Sequence, residues 1–426
     1  MRFSLSAMDG VTSHMNRRLT IFYFSAAISV LVAGVSLVIL EWSHVIYMSS
    51  MIVNLLHIDY SFTHLAEAMP ERLAYDLFAL RLVLIPLFLI TFCISLWSGF
   101  RVLKRWVLML YALFSLGVFS FAFIITSYIM FPAQHYSAQF LSVEQFLNTN
   151  FAEDQLGTAA SAADRVMVLE INGDARAYPI TYITQTHIAG GEEIGGEDVV
   201  MTFCGLSHLS VPFANEVNGQ ELDLRVMGQF HNNLVLFDTH TNEPIHQIKA
   251  KFEHEGTALK KYPSVMMGID NFVRLYPEGK IYYRAPEGRD FIDKLVFQLL
   301  EHSMGEQYDT STSELAFDTS PYDDKRLPAK ERIYAIINEE KGIVFTRDFI
   351  AEKSGGYFEY DLNGQTIAIK YFAEYDYIDM FVGSDAREVN HLGELPNGVK
   401  LSKFRHINQM LWRVYQYFYP ESELFS

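Results

Sequence analysis

The chain is 426 residues long, half of its residues are hydrophobic, and its formal net charge is −17. This length is enough for two or three domains of ordinary size. Residues 1–134 hold eight Lys or Arg and six Asp or Glu side chains, so the remainder carries 25 basic and 44 acidic ones, a net charge of −19. A domain this acidic repels phosphate backbones, which argues against a nucleic-acid partner. The chain has two cysteines, Cys93 in an apolar run and Cys204 far from it, so its stability must come from a buried core rather than from disulfides.

Three apolar runs in residues 1–134 predict transmembrane helices at 19–40, 82–100 and 106–131, because a bilayer core needs roughly 20 apolar residues in a helix. Arginines precede the first run and basic residues fill the short loop between the second and third, whereas the loop at 41–77 is acidic. The positive-inside rule then places the N-terminus in the cytoplasm and the C-terminal domain outside. The sequence therefore predicts a multi-pass protein of the cell inner membrane that contacts the lipid bilayer. A cleaved signal peptide is the alternative interpretation of the first run, although that run is long for one and lacks a clean cleavage site.

After a polar linker at 135–163, the chain has the pattern of β-strands. Asn172-Gly173 lies between apolar and β-branched runs, which predicts a hairpin. Residues 199–203 and 234–237 predict further strands, and Asn218-Gly219 marks another turn. The predicted fold is thus an α-helical membrane region of three helices followed by a mainly β, or α+β, extracytoplasmic domain.

The outer domain also contains a weak internal similarity. Residues 164–169 resemble 331–336, residues 217–220 resemble 362–365, and residues 267–278 resemble 410–421, in the same order along the chain. This order predicts a duplication, with a first unit at 164–300, a connecting segment at 301–330 and a second, degenerate unit at 331–426.

A cluster of histidines around one cysteine marks the place where chemistry could occur. Six of the 14 histidines lie from His187 to His254, and Cys204 lies among them. Imidazole and thiolate are ligands that copper and zinc prefer. The candidate metal ligands are His187, Cys204, His208 and His231. Cys204 and His208 are four residues apart, which would put both side chains on one face if they lay on the same strand.

Two other functions fit the same residues. In an enzyme, Cys204 would be the nucleophile and His187 or His208 its base, with Asn232 or Asp238 orienting that base. In a binding or assembly subunit, the helices would pack against a membrane-protein partner and no catalytic group would be needed. The sequence contains no C-x-x-C, H-E-x-x-H, G-x-S-x-G or P-loop motif that would decide among these functions.

The segment 168–282 resembles the DUF3179 family, extracytoplasmic proteins of unknown function. The resemblance is carried by Leu-Glu-Ile-Asn-Gly-Asp-Ala-Arg-Ala-Tyr-Pro at 169–179, by His187, by Met-Thr-Phe-Cys-Gly-Leu-Ser at 201–207, and by the runs at 228–238 and 275–278. Ser207 stands where the family usually has a second cysteine, and Gly205 replaces the usual proline. If the family's cysteine pair forms a redox dithiol or a two-sulfur metal site, the resemblance implies that this chain cannot form that site in the same way.

Overall fold

The computed structural model describes residues 5–40, 81–124, 138–148, 165–284, 315, 324–338 and 341–426. The chain forms two compact units, Met1–Phe131 and Pro132–Ser426, which are considered separately. The predicted outer loop at 41–77 lies outside the described residues, as do most of the predicted linker at 135–163 and most of the connecting segment at 301–330.

The first unit contains three described helices, α1 (Leu5–Leu40), α2 (Arg81–Gly99) and α3 (Arg105–Ile124). One of them, over Met15–Ser36, is long and apolar enough to cross a membrane; the apolar stretches Val83–Gly99 and Arg105–Ser120 are shorter than 18 residues. Of the three predicted spans, one therefore meets the length criterion among the described residues. The described part of the predicted third span lies in α3, and its residues 125–131 lie outside the described residues.

The helices of the first unit pack through small hydroxyl side chains. The Ser29 hydroxyl lies 2.9 Å from that of Thr91, and the Ser95 hydroxyl lies 2.8 Å from that of Ser25. Both pairs join α1 to α2, and all four side chains are buried. Around them, stacked Phe88 and other aromatic side chains fill the interior of the bundle.

The second unit is mainly β, as predicted. Its described helices are α4 (Val143–Asn148), α5 (Ile180–Thr186), α6 (Ile269–Leu275) and α7 (Trp412–Phe418). Its strands, in chain order, are β1 (Ala138–Ser142), β2 (Arg165–Ile171), β3 (Asp174–Pro179), β4 (Ile188–Ile194), β5 (Glu197–Cys204), β6 (Leu209–Ala214), β7 (Glu216–Val217), β8 (Gln220–Glu221), β9 (Leu224–Phe230), β10 (Asn233–Asp238), β11 (Pro244–His246), β12 (Lys251–Phe252), β13 (Val265–Gly268), β14 (Lys280–Arg284), β15 (Arg332–Asn338), β16 (Lys341–Thr346), β17 (Tyr357–Leu362), β18 (Gln365–Phe372), β19 (Tyr377–Val382), β20 (Ser402–Lys403), β21 (Ile407–Leu411) and β22 (Glu423–Phe425).

Two sheets of this unit share one topology. In the first, the strand order is β1-β14-β3-β2-β13, and in the second it is β21-β15-β16-β22. The hairpin β2-β3 corresponds to β15-β16, and in both sheets the second hairpin strand pairs in parallel with the last strand, β14 or β22. The predicted turn at Asn172-Gly173 joins β2 to β3, and both of its residues have positive φ, which Asn and Gly tolerate best.

The hairpins β2-β3 and β15-β16 are each followed along the chain by a second hairpin with a four-residue loop. Residues 205–208 connect β5 to β6, and residues 373–376 connect β18 to β19. The last loop residue has positive φ in both, His208 in the first and Asp376 in the second. In the order of elements, β17-β18 corresponds to β4-β5. The similar sequences at 217–220 and 362–365 therefore form turns at different places: the first joins β7 to β8, and the second joins β17 to β18.

The β unit has a first part, residues 165–284, and a second part, residues 332–426, and each contacts the other in a similar way. Asn271 on α6 donates its side-chain amide to the carbonyl of Tyr375, in the loop of the second part, over 2.9 Å. The backbone N–H of Leu411, directly before α7, donates over 2.9 Å to the carbonyl of Ser207, in the loop of the first part. Each short helix segment therefore lies against the hairpin loop of the other part.

Candidate functional site

Cys204 is the last residue of β5 and is fully buried. Its thiol donates to the carbonyl of Asn232 over 3.5 Å. Burial raises the pKa of the Cys204 thiol above its ordinary value. Hydrogen bonds from the Ser207 side chain and from the backbone of Ser207, Leu206 and Leu234 only partly offset that effect. In this environment the sulfur is a neutral thiol, which is a weak nucleophile and a weak metal ligand.

The expectation that Cys204 and His208 share one strand face is wrong, because the chain reverses between them. Gly205 follows Cys204 directly, and residues 205–208 form the loop to β6. His208 is buried and has a φ of 59°, a left-handed conformation that turns its backbone out of the strand. Burial, followed by the charges of Arg332, Lys330 and Arg165, lowers the pKa of His208 to about 3. His208 is therefore a neutral imidazole at physiological pH.

Ser207, at the position of the family's second cysteine, belongs to a buried polar network. Its hydroxyl accepts a hydrogen bond from the Asn233 side-chain amide over 3.2 Å. That amide also donates to the Gln247 carbonyl oxygen, and Gln247 in turn donates to the Thr202 hydroxyl over 3.1 Å. The network joins the loop at 205–208 to β5 and to the residues around β10 and β11. Sequence reasoning did not find Asn233 or Gln247, because neither residue type at that spacing signals a site by itself.

The other predicted histidines each have a separate structural environment. His187 follows α5 in a left-handed conformation, and its Nδ1 lies 3.1 Å from the carbonyl of Phe203. Burial lowers the pKa of His187, and that hydrogen bond raises it by less. His231 stacks against Tyr417, with ring centroids 3.7 Å apart, and His246 lies edge-on to Phe418 at 5.3 Å. Helix α7 thus covers both imidazoles.

Asp238 holds a turn. Its carboxylate accepts hydrogen bonds from the backbone N–H of Asp223 and of Thr241, both over 2.9 Å, and from the Thr241 hydroxyl over 2.7 Å. These bonds use both oxygens of the Asp238 side chain. Asn232, the other predicted orienting group, has a φ of 62° and contributes its carbonyl, rather than its amide, to Cys204.

The structure places Cys204, Ser207 and His208 in one short segment. His187 contacts the carbonyl of Phe203, directly before that segment, and the carbonyl of Asn232, which follows His231, accepts from Cys204. Within the described part of the chain, no three His, Cys, Asp or Glu side chains are arranged so that they could hold a metal ion. The copper or zinc site, and the enzyme with Cys204, His187 and Asp238 as candidate catalytic residues, stay predictions.

Comparison with known proteins gives one match. The family model described as a protein of unknown function, DUF3179, covers residues 145–422. This match includes the segment in which the resemblance was found and extends through the second part of the β unit. Neither the curated proteins nor the solved structures contain a match to the chain.

Proposed function

Because the chain belongs to the DUF3179 family, whose function is unknown, we propose a function from its own residues. The chain is a multi-pass membrane protein whose extracytoplasmic β unit serves as a binding or assembly subunit. Its three helices pack with a membrane-protein partner in the cell inner membrane. Under this proposal the N-terminus is cytoplasmic and the β unit is extracytoplasmic.

The observation that carries this proposal is the apolar outer surface of the helices. Phe24, Leu31, Trp97 and Leu113 are each more than 60% exposed. On the inner side, two hydroxyl pairs join α1 to α2 among buried aromatic side chains. A water-soluble bundle presents polar side chains on its surface, whereas a membrane bundle packs through small and hydroxyl side chains and exposes large apolar ones to lipid.

Positive charge supports the direction of insertion. Arg17 and Arg18 lie at the cytoplasmic end proposed for α1. Arg101 and Lys104 lie between α2 and α3, and Arg105 begins α3. Arg18 also lies over the ring of Trp97, with 5.3 Å between the guanidinium carbon and the ring centroid, as is common for an aromatic residue at a membrane interface.

The arrangement around Cys204 favours binding over catalysis. A nucleophile needs an ionised or easily ionised sulfur that opens on a pocket. The Cys204 thiol is fully buried, its pKa is raised by burial, and its hydrogen bond goes to a backbone carbonyl rather than to an imidazole.

We also propose that residues 165–284 and 332–426 are the two copies of a duplicated unit. The matching orders β13-β2-β3-β14 and β21-β15-β16-β22 support this proposal, since the first sheet differs by one added edge strand, β1. The four-residue loops that end at His208 and Asp376 support it as well. In the described residues of the second copy, β20 is the one strand between β19 and β21. Those residues therefore contain no counterpart of the four-stranded sheet β12-β11-β10-β9. The second copy would therefore be the reduced one.

Cysteine accessibility tests the orientation. In a full-length chain carrying Cys93→Ser and Cys204→Ser, single cysteines are introduced at exposed Lys251 and at exposed Arg101. A membrane-impermeant maleimide added to spheroplasts should label Lys251→Cys, and should label Arg101→Cys only after the membrane is permeabilised. Labelling of Arg101→Cys without permeabilisation would contradict the proposed orientation.

Photo-crosslinking tests the assembly role. A photoreactive amino acid at exposed Leu113 should form a protein adduct of one defined mass in native membranes. The same group at Ser29, which is buried between helices, serves as the control and should form none beyond the chain itself. Adducts with lipid alone at Leu113, at Trp97 and at Phe24 would argue against a membrane-protein partner.

A further inference from the structure

A cavity of about 290 Å³ lies between the two parts of the β unit. Val211 and Ile248 line it from the first part, and Ala335 and Ile407 line it from the second part. These apolar side chains face three cationic ones, Lys261, Lys403 and Arg405, and no carboxylate is among its described lining residues. The cavity does not include Cys204 or any of the predicted site histidines, so it is separate from the region described above.

Among the described residues, two of the three cations have no acidic partner. Lys403 pairs with Glu170 and Asp379, so its charge is already balanced. In the same part of the chain, neither Lys261 nor Arg405 forms an ion pair with a carboxylate. Arg405 instead donates to the backbone carbonyl of Lys261 over 3.2 Å, which joins the two residues. Burial lowers the pKa of Lys261, and the charge of Arg405 lowers it further.

Lys261 is partly buried and Arg405 is exposed. Two positive groups at one cavity repel each other, and a single anion between them would offset that repulsion together with the desolvation of Lys261. Lys261 and Arg405 lie in the part of the chain after residue 134, whose net charge is strongly negative. That net charge would repel an anion, so local positive charge at the cavity is needed to bind one.

We propose that this cavity binds a small organic anion, a carboxylate with a compact apolar body. The carboxylate would lie against Lys261 and Arg405, and the apolar body would lie against Val211, Ile248 and Ile407. At roughly 30 Å³ per non-hydrogen atom, the cavity holds a ligand of about ten such atoms. This site goes beyond the proposed membrane role and does not depend on the orientation of the helices.

Binding of benzoate to the full-length chain in a nonionic detergent tests the site. Benzoate has the required carboxylate and a compact apolar ring, while benzamide and benzylammonium keep the ring and change the charge. Isothermal titration should show that benzoate binds and that the neutral and cationic analogues bind at least about tenfold more weakly, since a hydrogen bond to a charged group contributes roughly 1.5–3 kcal/mol. Inorganic phosphate, which lacks an apolar body, should also bind more weakly than benzoate.

Substitutions locate the binding on the chain. Lys261→Met keeps the aliphatic stem and should weaken benzoate binding by about tenfold or more, whereas Lys261→Arg should retain binding. Lys251→Met removes an exposed lysine that does not line the cavity and should leave the affinity unchanged. If Lys261→Met is poorly folded, Lys261→Arg and Arg405→Met provide the same comparison. Three results would overturn the proposal. Benzylammonium could bind as tightly as benzoate, Lys261→Met could bind benzoate as tightly as the unsubstituted chain, or benzoate could fail to bind at millimolar concentration.

Discussion

Replacement of Lys403 by methionine should destabilise the β unit strongly. The Lys403 ammonium lies 3.4 Å from a carboxylate oxygen of Glu170 and 3.3 Å from one of Asp379. The side chains of Glu170 and Asp379 are only 6% and 0% exposed, and that of Lys403 is 14% exposed. Lys403→Met would leave two buried carboxylates without their cation. Removing one member of a buried ion pair typically costs about 3–5 kcal/mol in unfolding free energy, and we expect a loss in that range.

The loss can be measured by pulse proteolysis of the full chain across a urea gradient in nonionic detergent. Lys403→Arg, which keeps the charge, should lose much less stability than Lys403→Met. Adding Asp379→Asn to Lys403→Met should recover part of the loss, because one of the uncompensated charges is then removed. A destabilisation of less than about 1 kcal/mol in Lys403→Met would refute the reasoning, since a solvated ion pair contributes no more than that.

The pH dependence gives a second readout of the same cluster. Burial alone would lower the pKa of Lys403, but Asp379 and Glu170 raise it by more, so the folded pKa lies above the ordinary value. A raised lysine pKa contributes stability that is present below the unfolded pKa of about 10.4 and is lost as the pH rises through the folded value. Lys403→Met lacks this ammonium, so its stability should not show that loss. The stability difference from the unsubstituted chain should therefore be largest below a pH of about 10.4 and should shrink as the pH is raised above that value.

Three further predictions concern other residues. In a Cys93→Ser chain, Cys204 should react with a maleimide at neutral pH far more slowly in the folded state than in urea, because its thiol is buried and its pKa is raised; similar rates would contradict the buried position. The pKa of His208 is lowered to about 3, so its contribution to stability is present above the unfolded pKa of about 6.5 and is lost as the pH falls towards 3. The urea midpoint of His208→Asn should therefore change less between pH 7.5 and pH 5 than that of the unsubstituted chain, and equal changes would contradict the assignment. Gly342→Ala should destabilise by about 1–3 kcal/mol, because the added Cβ would overlap the Tyr415 hydroxyl; Gly268→Ala, whose Cβ would have its nearest neighbour at 3.7 Å, is the matched control in the same urea assay.

Local features of the fold were predictable from the sequence. The hairpin at Asn172-Gly173 and the strands at β5 and β10 follow from turn residues and apolar runs that lie within a few positions of each other. The parallel pairing of β14 with β3 was not predictable, because its partners, such as Lys280 and Arg176, are about a hundred residues apart. No local pattern encodes such a pairing, and it depends on the packing of the whole unit.

In the candidate site, too, local features were predictable from the sequence and long-range contacts were not. Sequence proximity grouped Cys204 with His208, but it could not show that the chain reverses at 205–208 or that α7 covers His231 and His246. The cavity residues were missed because Lys261 and Arg405 are 144 positions apart and each is an ordinary cation by itself. Their significance comes from the absence of an acidic partner among the described residues, which is a property of the folded arrangement alone.

The reciprocal contacts of α6 and α7 also bear on the order in which the chain can fold. Synthesis proceeds from the N-terminus, so residues 165–284 emerge while the segment that carries α7 has not yet been made. Until then the loop at 205–208 lacks the backbone donor of Leu411, and the rings of His231 and His246 lack Tyr417 and Phe418. The first part of the β unit therefore lacks these contacts, and keeps the two imidazoles uncovered by α7, until the segment that carries α7 has been synthesised.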